Sequence, residues 1–317
     1  MSQAKALITG INGFCGRQLA GTLLQQGYSV VGMDLKLASV PGAVTLYAGD
    51  MRDGSFVNAV LEATRPDIIF HLAALTAPRA NPEELESVNQ GGTRCLLDVV
   101  RRSGSTPRIV ITSSSAVYGY VPPAELPIRE TQPLCPATAY AVSKVLQERE
   151  ATQAFIEQNL AVICVRPFNL TGPGESEHFV TSAFARQIAE IEAGLRAPII
   201  QVGNLDAVRD FTDVRDAMRA YVLLAEKGIP GEVYNVCSEQ GVQIRQILDL
   251  LRELSTRTNI EIRIDPTRLQ AADVPIQIGS AARLRALTGW APALTLQETL
   301  NDVLNSWRRR TYEEQHP

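Results

Sequence analysis

The sequence contains few of the residues from which metal sites and disulfide frameworks are built. Among its 317 residues there are 3 histidines and 5 cysteines. The cysteines are scattered without a C-x-x-C pair, and no two histidines are spaced to hold a metal from one helix face. We therefore expect reduced thiols and no bound metal.

Long apolar runs and a basic surplus are also missing. Apolar runs such as LAVICV at 160–165 are far shorter than the ~18 residues that a membrane span needs. A net charge of -4 provides no basic field for nucleic acid. We therefore expect neither a membrane nor a nucleic acid as partner. The first residues lead into a strand without the features of a signal peptide, which predicts a cytoplasmic protein.

Short apolar runs alternate with amphipathic stretches through the first half of the chain. The runs lie at 4–9, 28–33, 43–48, 67–72, 107–112 and 160–165, and the amphipathic stretches at 14–26, 53–64, 83–103 and 137–158. Apolar strands separated by helices predict an α/β fold with a doubly wound parallel sheet of the Rossmann type.

Beyond Pro167 the alternation breaks, proline and glycine become frequent, and helices are expected at 179–194, 213–227, 243–255 and 295–309 with shorter strands between them. This change predicts a smaller, partly interleaved C-terminal substrate domain. We expect a dinucleotide-binding domain at 1–166, to which 210–236 returns, and a substrate domain formed mainly by 167–209 and 237–317.

A glycine-rich turn follows the first predicted strand. Gly10, Gly13 and Gly16 are spaced G-x-x-G-x-x-G before an amphipathic helix. In a dinucleotide site the first glycine permits the tight turn, the second lets the backbone approach a pyrophosphate, and the third allows close helix packing. The phosphates would face the free N–H groups of the helix start. Glycine spacing alone also suits an ordinary strand–helix turn, so its position in the chain strengthens the prediction.

The second predicted strand ends at Asp34, eighteen residues after Gly16. A carboxylate there can accept hydrogen bonds from ribose hydroxyls and favours NAD(H). A simple turn aspartate is the alternative, and Lys36 or Arg17 could serve the 2′-phosphate of NADP(H). We expect His71 to be packed in the core. The other expected cofactor contacts are Asn12, Phe14, Asp50, Met51, Leu72, Ala73, Ala74, Thr112 and Pro167.

Two later motifs predict a catalytic site. The string TSSSAVYG occupies 112–119, and Tyr140 and Lys144 lie four residues apart at the start of a predicted helix. That spacing places both side chains on one helix face, where the ammonium would lower the phenol pKa. A serine hydroxyl at the end of a parallel strand reaches the same crevice. The set can move a proton while a hydride passes to or from a carbonyl carbon.

The chain resembles the extended short-chain dehydrogenase/reductases of the nucleotide-sugar branch over essentially its whole length. The resemblance lies in the strings TGINGFCG, GDMRD, HLAA, TSSSAVYG, YAVSK, RPFNLTGPG and RDFTDVRD. It implies that Ser114 binds the sugar oxygen being oxidised or reduced, that Tyr140 donates or accepts the proton, and that Lys144 is its partner. It also implies a homodimer formed through the helices near 83–103 and 137–158.

The second half resembles the GDP-mannose dehydratase and GDP-6-deoxyhexose reductase group, through FVT at 179–181 and GNLDAVRDF at 203–211. This resemblance implies a GDP-sugar site that contains Ser115, Asn169, Thr181, Arg186, Asn204 and Arg209. A guanidinium suits bidentate capture of phosphate, although Arg209 could instead form a structural ion pair with Asp210.

One part of the nucleotide site departs from the pattern of that group. Relatives commonly have Arg-x-x-Asp or Arg-x-x-Glu before the last helices, whereas this chain has Gln270 in the arginine position and Asp273 in the acidic one. Asp273 remains the ribose candidate. Arg268 could substitute for the missing arginine.

Position 116 distinguishes between the possible reactions. Sugar 4,6-dehydratases have glutamate two residues after the catalytic hydroxyl to remove the C5 proton, whereas this chain has Ala116. Ala116 disfavours dehydration and leaves a 4-keto reductase and a 4-epimerase as the possible enzymes. The serine pair 114–115 and the string GNLDAVRDF favour the reductase. We therefore expect reduction of the C4 ketone of GDP-4-keto-6-deoxy-D-mannose to GDP-6-deoxy-D-mannose (GDP-D-rhamnose). An NAD-dependent nucleotide-sugar 4-epimerase is the enzymatic alternative, which Asp34 slightly favours. A non-catalytic dinucleotide-binding protein is the alternative from another class.

Overall fold

The computed structural model describes residues 3–36, 38, 40, 42, 44–76, 81–268 and 274–316. The strands are β1 (Lys5–Thr9), β2 (Ser29–Asp34), β3 (Val44–Ala48), β4 (Ile68–His71), β5 (Arg108–Thr112), β6 (Val162–Pro167), β7 (Asn169–Thr171), β8 (Ile199–Val202), β9 (Val208–Asp213), β10 (Val233–Val236), β11 (Gly241–Gln243), β12 (Glu261–Ile264) and β13 (Ile276–Gln277).

The α-helices are α1 (Phe14–Gln25), α2 (Gly54–Thr64), α3 (Pro82–Leu85), α4 (Gly92–Ser103), α5 (Ala139–Gln158), α6 (Val180–Glu192), α7 (Val214–Lys227), α8 (Ile244–Glu253), α9 (Ala282–Thr288) and α10 (Leu296–Gln315). A π-helical segment (Glu86–Gly91) joins α3 to α4, and 3-10 turns occupy Ser115–Tyr118, Pro123–Glu125 and Pro266–Arg268. Within the described ranges, no helix combines the length and the apolar character needed to cross a membrane.

Seven strands form the main sheet in the order β10-β6-β5-β4-β1-β2-β3, and every pairing is parallel. Side chains alternate between the two faces of a strand, so Ile8 belongs to the core cluster that includes Leu19 of α1 and Tyr221 of α7. Leu7 belongs to the opposite cluster with Leu61 of α2. The predicted doubly wound parallel sheet is confirmed.

The second half of the chain builds a smaller layer beside this sheet. Strand β9 pairs with β7 and β13 in parallel and with β11 antiparallel, while β8 pairs with β12. A third core cluster packs α6, α8 and α10 together through side chains such as Ile188, Leu248 and Leu304. Between these elements, β10 pairs with β6 in the main sheet. The sequence did not predict α9, and α10 extends to Gln315 instead of ending at 309.

The predicted helix at 83–103 contains a π-helical segment in its first half. Asn89 in this segment is buried. Its side chain accepts from the Leu75 N–H (2.7 Å) and donates to the Leu75 carbonyl (3.1 Å) and to Ser143 Oγ (2.9 Å). The extra residue in a π turn allows Asn89 to face both the loop after β4 and α5. Asn89 therefore connects the π-helical segment, the loop after β4 and α5 near the strand ends.

A buried hydrogen-bond network fixes the turn that follows β5. Arg166 of β6 forms a bidentate ion pair with Glu148 of α5 and donates to the Tyr118 hydroxyl at 2.9 Å. Tyr118 in turn donates to Asn235 Oδ1 of β10 at 2.7 Å. Because Tyr118 ends the 3-10 turn that begins at Ser115, the network holds the backbone that carries Ser114.

Candidate active site

The carboxyl ends of β1 and β4 meet at the centre of the main sheet. Thr9 Oγ1 lies 2.8 Å from His71 Nδ1 and accepts from the Ala73 N–H at 3.1 Å. His71 Nε2 lies 2.8 Å from Thr93 Oγ1. Burial, together with the charge of Lys144, lowers the pKa of His71 to about 3. His71 is therefore a neutral core histidine, as the sequence predicts.

The glycine-rich turn between β1 and α1 is closely packed on one side and open on the other. Gly10 has a φ of 72°, and a Cβ there would lie 2.8 Å from the Ala73 backbone. A Cβ on Gly16 would lie 2.4 Å from the Gly10 carbonyl oxygen. Gly13 is exposed and begins α1 without a side-chain cap. The first N–H groups of α1 therefore form a cradle for an anion.

Asp34 stands at the end of β2 beside this cradle. Its Oδ2 accepts from the Asn12 N–H at 2.9 Å, and its Oδ1 accepts from the Leu35 N–H at 2.8 Å. Each carboxylate oxygen retains a further lone pair for a ribose hydroxyl. The cradle and this acceptor fit the pyrophosphate and adenosine ribose of a nicotinamide dinucleotide. No cluster of metal-binding side chains occurs in the described part of the chain.

The remaining expected cofactor contacts line the same edge of the sheet. The Leu72 N–H donates to the Thr9 carbonyl, and Leu72, Ala73, Ala74 and Phe14 are partly exposed. Met51 and Pro167 are buried. The Arg52 guanidinium binds the Asp50 carboxylate and lowers its pKa. An adenine amino group would thus share Asp50 with Arg52.

Ser114, Tyr140 and Lys144 come together where β5 and α5 meet. Ser114 Oγ accepts from the Ala116 N–H at 3.2 Å. Lys144 Nζ donates to the Thr112 carbonyl and to Gln147 Oε1, both at 2.8 Å. The same Nζ lies 5.9 Å from the centre of the Tyr140 ring. The trio predicted from separate motifs is therefore assembled in one place.

Burial shifts the titration of both catalytic candidates on α5. It raises the pKa of Tyr140 to about 12, with the Ser114 side chain opposing the rise. It lowers the pKa of Lys144 to about 7, with Glu148 opposing. The net shift of the Tyr140 pKa is therefore upward, whereas the sequence predicts a lowering by Lys144, because desolvation dominates and Lys144 directs its hydrogen bonds at Thr112 and Gln147. The Tyr140 phenol keeps its proton at neutral pH.

Several expected substrate contacts lie on β7, α6 and β9. Asn169 begins β7 and pairs in register with Phe211 of β9. Arg209 lies two residues before Phe211 and therefore on the same face of β9. Thr181 is fully buried and bonded to Glu175. Arg186 forms ion pairs with Glu177 and Glu190.

The other expected substrate contacts are placed as follows. Ser115 is buried, and its carbonyl accepts from Gln277 Nε2 at 3.1 Å. Asn204 is exposed, and its Oδ1 accepts from the Asp206 N–H at 2.9 Å. Arg268 donates to the Asp265 carboxylate. Gln270 and Asp273 lie outside the described residues.

The alternative of an Arg209–Asp210 ion pair is not what the structure contains. These consecutive residues of β9 point to opposite faces of the strand. The Asp210 carboxylate accepts from the N–H groups of Ser238, Glu239 and Gly279. Arg209 donates to the Val208 carbonyl at 2.9 Å. Arg209 therefore remains the phosphate candidate on the face that Asn169 shares.

Three residues of this region were not identified from the sequence. Gln147 accepts from Lys144 and donates to Thr93 Oγ1 at 2.8 Å, and its position three residues after Lys144 on one helix was a usable signal. Glu175 is buried beside Cys15, and burial, with a smaller effect of the Glu175 charge, raises the pKa of the Cys15 thiol. Tyr221 is buried next to Thr112 and Tyr140. Neither Glu175 nor Tyr221 has a local pattern that predicts these contacts.

The chain is similar to known proteins over most of its length. The family model for GDP-mannose 4,6 dehydratase matches residues 7–303. The GDP-6-deoxy-D-mannose reductase of Pseudomonas aeruginosa is 36% identical over 313 residues, which cover 98% of this chain and 99% of the relative.

Two solved structures are similar over nearly the whole chain. RMD from Pseudomonas aeruginosa complexed with NADPH has a TM-score of 0.87 and 34% identity, covering 97% of this chain and 100% of that one. The Thermus thermophilus UDP-glucose 4-epimerase complex with NAD has a TM-score of 0.86 and 26% identity, covering 96% and 99%. With the glycine-rich turn and the assembled Ser114, Tyr140 and Lys144, these similarities establish that the chain belongs to the GDP-mannose 4,6-dehydratase family of extended short-chain dehydrogenase/reductases.

Proposed function

We propose that this protein reduces the C4 ketone of GDP-4-keto-6-deoxy-D-mannose to GDP-6-deoxy-D-mannose (GDP-D-rhamnose). The observation that carries the proposal is Ala116, which lies beside Ser114 in the assembled site and whose N–H donates to the Ser114 hydroxyl. A methyl group cannot remove the C5 proton, so dehydration of GDP-mannose lacks its base. A ketone reduction needs only the groups that are present.

The side chains of the trio have complementary roles in this reaction. Ser114 Oγ donates to the ketone oxygen and holds it next to Tyr140. Tyr140 donates its proton to that oxygen as the carbonyl becomes an alcohol. Burial keeps Tyr140 protonated before the reaction, since it raises the pKa to about 12. The Lys144 ammonium, 5.9 Å from the ring centre, stabilises the phenolate that remains.

A nicotinamide dinucleotide would be held by the anion cradle at the start of α1, by Asp34 and by the strand-end residues around Ala73. When bound, the dinucleotide supplies the hydride for C4. Asp34 favours NADH, because its carboxylate would repel a 2′-phosphate. The similar structures contain NADPH in one case and NAD in the other, so NADP(H) is the alternative cofactor.

A nucleotide-sugar 4-epimerase is the second candidate function. It is favoured by Asp34 and by the likeness to the Thermus thermophilus UDP-glucose 4-epimerase complex with NAD. An epimerase oxidises and reduces the same carbon in turn and therefore consumes no added cofactor. A reductase must exchange its dinucleotide in every cycle.

Cofactor consumption distinguishes the two reactions. With GDP-4-keto-6-deoxy-D-mannose, we expect oxidation of one reduced dinucleotide per keto sugar, followed by absorbance, and release of a GDP-6-deoxyhexose. GDP-mannose should remain unchanged because position 116 offers no base. Turnover of UDP-galactose without cofactor consumption, together with inertness toward the GDP keto sugar, would reject the reductase in favour of the epimerase.

Replacing Tyr140 by phenylalanine removes the proton donor and retains the ring. We expect kcat to fall by roughly 10²–10⁴-fold with the thermal unfolding curve preserved. Tyr120→Phe is the matched control. Because Tyr120 is exposed, this variant should have the kcat of the wild type. Near-normal kcat in Tyr140→Phe would remove Tyr140 from the mechanism.

Replacing Asp34 by alanine tests the cofactor assignment. The wild type should have the higher kcat/KM with NADH, and Asp34→Ala should reduce the difference between NADH and NADPH by removing a like charge near the 2′-position. Lys36→Ala and Arg17→Ala are the comparison variants. The wild type could instead prefer NADPH strongly and lose that preference in Lys36→Ala or Arg17→Ala. The replaced basic residue, and not Asp34, would then determine the cofactor preference.

The family resemblance also leads us to propose a homodimer formed through α4 and α5. Its support is the exposed apolar side chains of Val142 and Ile156 on α5 and the ion pair between Arg94 of α4 and Glu150 of α5, which holds the two helices as one face. Light scattering should give twice the chain mass of 34.5 kDa. A mass equal to one chain at micromolar concentration would contradict this part of the proposal.

A further inference from the structure

Three oxygen atoms form a closed triangle beside the candidate substrate site. Glu175 Oε2 lies 2.9 Å from Thr171 Oγ1 and 2.6 Å from Thr181 Oγ1. The two threonine oxygens lie 2.9 Å from each other. All three residues are buried, with at most 3% of their surface exposed. Each side of the triangle is therefore a hydrogen-bond distance out of contact with bulk water.

Three simultaneous hydrogen bonds, one along each side of the triangle, take three hydrogens. The two threonine hydroxyls supply two, because each hydroxyl carries a single hydrogen. The third must come from the carboxyl group of Glu175. An ionised Glu175 would leave one pair of oxygen atoms in contact with no hydrogen between them.

The surroundings of Glu175 also favour the protonated acid. Within the described part of the chain, Glu175 forms no ion pair. Burial raises its pKa to about 8, while the two threonine hydroxyls oppose the rise. Cys15 of α1 is the neighbouring titratable group, and the charges of both Glu175 and Lys144 of α5 act on its thiol. Asp213 of β9, opposite Thr171 in register, is bound by Arg215 and Thr299.

The triangle joins the elements that carry the expected substrate contacts. Thr171 ends β7, which begins at Asn169, and Thr181 lies in the first turn of α6, which leads to Arg186. The Glu175 backbone carbonyl accepts from Ser182 Oγ at 2.9 Å. In the same loop, the Pro173 carbonyl accepts from Gln18 Nε2 of α1 at 3.2 Å.

We propose that Glu175 carries a proton at neutral pH and, by closing the hydrogen-bond triangle with Thr171 and Thr181, is the positioning residue that fixes the conformation of the substrate segment 169–186. The assignment of this segment to substrate rests on the proposed function. The protonation of Glu175 does not depend on the proposed function. Ionisation opens the triangle, so the segment loosens and the nucleotide sugar binds less tightly at alkaline pH.

The proton can be observed directly in the wild-type protein. In a carbon NMR titration with 13C-carboxyl glutamate, we expect one resonance to titrate near pH 8, well above the ordinary glutamate value of about 4.3. That resonance should be absent from Glu175→Gln and present in Glu253→Gln, a matched control on the exposed end of α8. If every glutamate in the wild type titrates below about pH 6, the proposal is overturned.

Stability provides a second readout that is independent of activity. The pKa of Glu175 is higher in the folded chain than in the unfolded chain, so the folded state binds more protons between these values and loses stability as pH rises through this window. An amide at position 175 is neutral and can donate to both threonines. The difference in Tm, Glu175→Gln minus wild type, should therefore increase by several degrees from pH 5 to pH 8 and then level off. A constant difference contradicts the proton assignment.

The positioning role is tested by the pH dependence of KM. For the GDP keto sugar, the wild-type KM should rise by up to about tenfold from pH 7 to pH 9 as the protonated fraction falls. Glu175→Gln should remove the rise, and Glu175→Ala should have a high KM at both pH values. A wild-type rise that survives in Glu175→Gln, or no rise at all, rejects the positioning role.

The proposed substrate and the proposed role of Glu175 can be rejected independently of each other. Inertness toward the GDP keto sugar with a glutamate titrating near pH 8 would reject the proposed substrate and leave the protonated triangle in place. The affinity for GDP, measured by calorimetry at pH 7 and pH 9, then replaces KM in the same comparison. An affinity that changes equally in the wild type and Glu175→Gln rejects the positioning role.

Discussion

The parallel register of β1, β4, β5 and β6 is the constraint on which the active site depends. Since all four strands run in the same direction, their carboxyl ends lie at one edge of the sheet. Strand order reverses between β1, which continues to β2, and β4, which begins the other half. A crevice opens at such a reversal. Gly10, Ala73, Ser114 and Pro167 each follow or end one of these strands and are thereby brought together.

Burial at this edge gives neighbouring groups different protonation states. The pKa of His71 falls to about 3 and that of Lys144 to about 7, because both positive forms lose solvation. The pKa of Tyr140 rises to about 12 for the opposite reason, since its charged form is negative. The crevice therefore presents a neutral imidazole, a phenol that retains its proton and an ammonium that loses part of its charge near neutrality. A phenol in this state suits donation to a ketone oxygen better than abstraction from an alcohol.

The sequence predicts the main sheet well, because its strands are apolar and separated by helices of ordinary length. It also predicts the residues at the strand ends, since Gly10, Ser114 and Tyr140 occur in local strings with a chemical reason for their spacing. The β9-centred sheet is harder to predict, because β7, β11 and β13 have two or three residues each and show no periodicity. The π-helical segment depends on Asn89 reaching Leu75 and Ser143, which are contacts across the fold.

Long-range packing also explains what the sequence misses within the site. Glu175 occurs in the string GPGE, which indicates a turn but not a buried acid. Its environment is created by Thr171, Thr181 and Cys15, which belong to three separate elements. Thr181 was identified from the resemblance as a residue lining the nucleotide site, and the structure places its hydroxyl on Glu175. A direct contact with nucleotide and the contact with Glu175 would compete for the same hydroxyl.

The second half of the chain must hold the nucleotide at a fixed position relative to Ser114 and Tyr140, because proton and hydride transfer tolerate little displacement. Strand β9 meets this requirement by continuing directly into α7, whose Tyr221 and Leu224 pack on the main sheet. At the junction, Asp213 accepts from the Arg215 N–H at 2.8 Å and from Thr299 of α10 at 2.8 Å. Arg209 is four residues before this junction on the same strand. The candidate diphosphate ligand and the catalytic trio are thus connected through rigid, packed elements, so a change in β9 alters substrate position through the sheet itself.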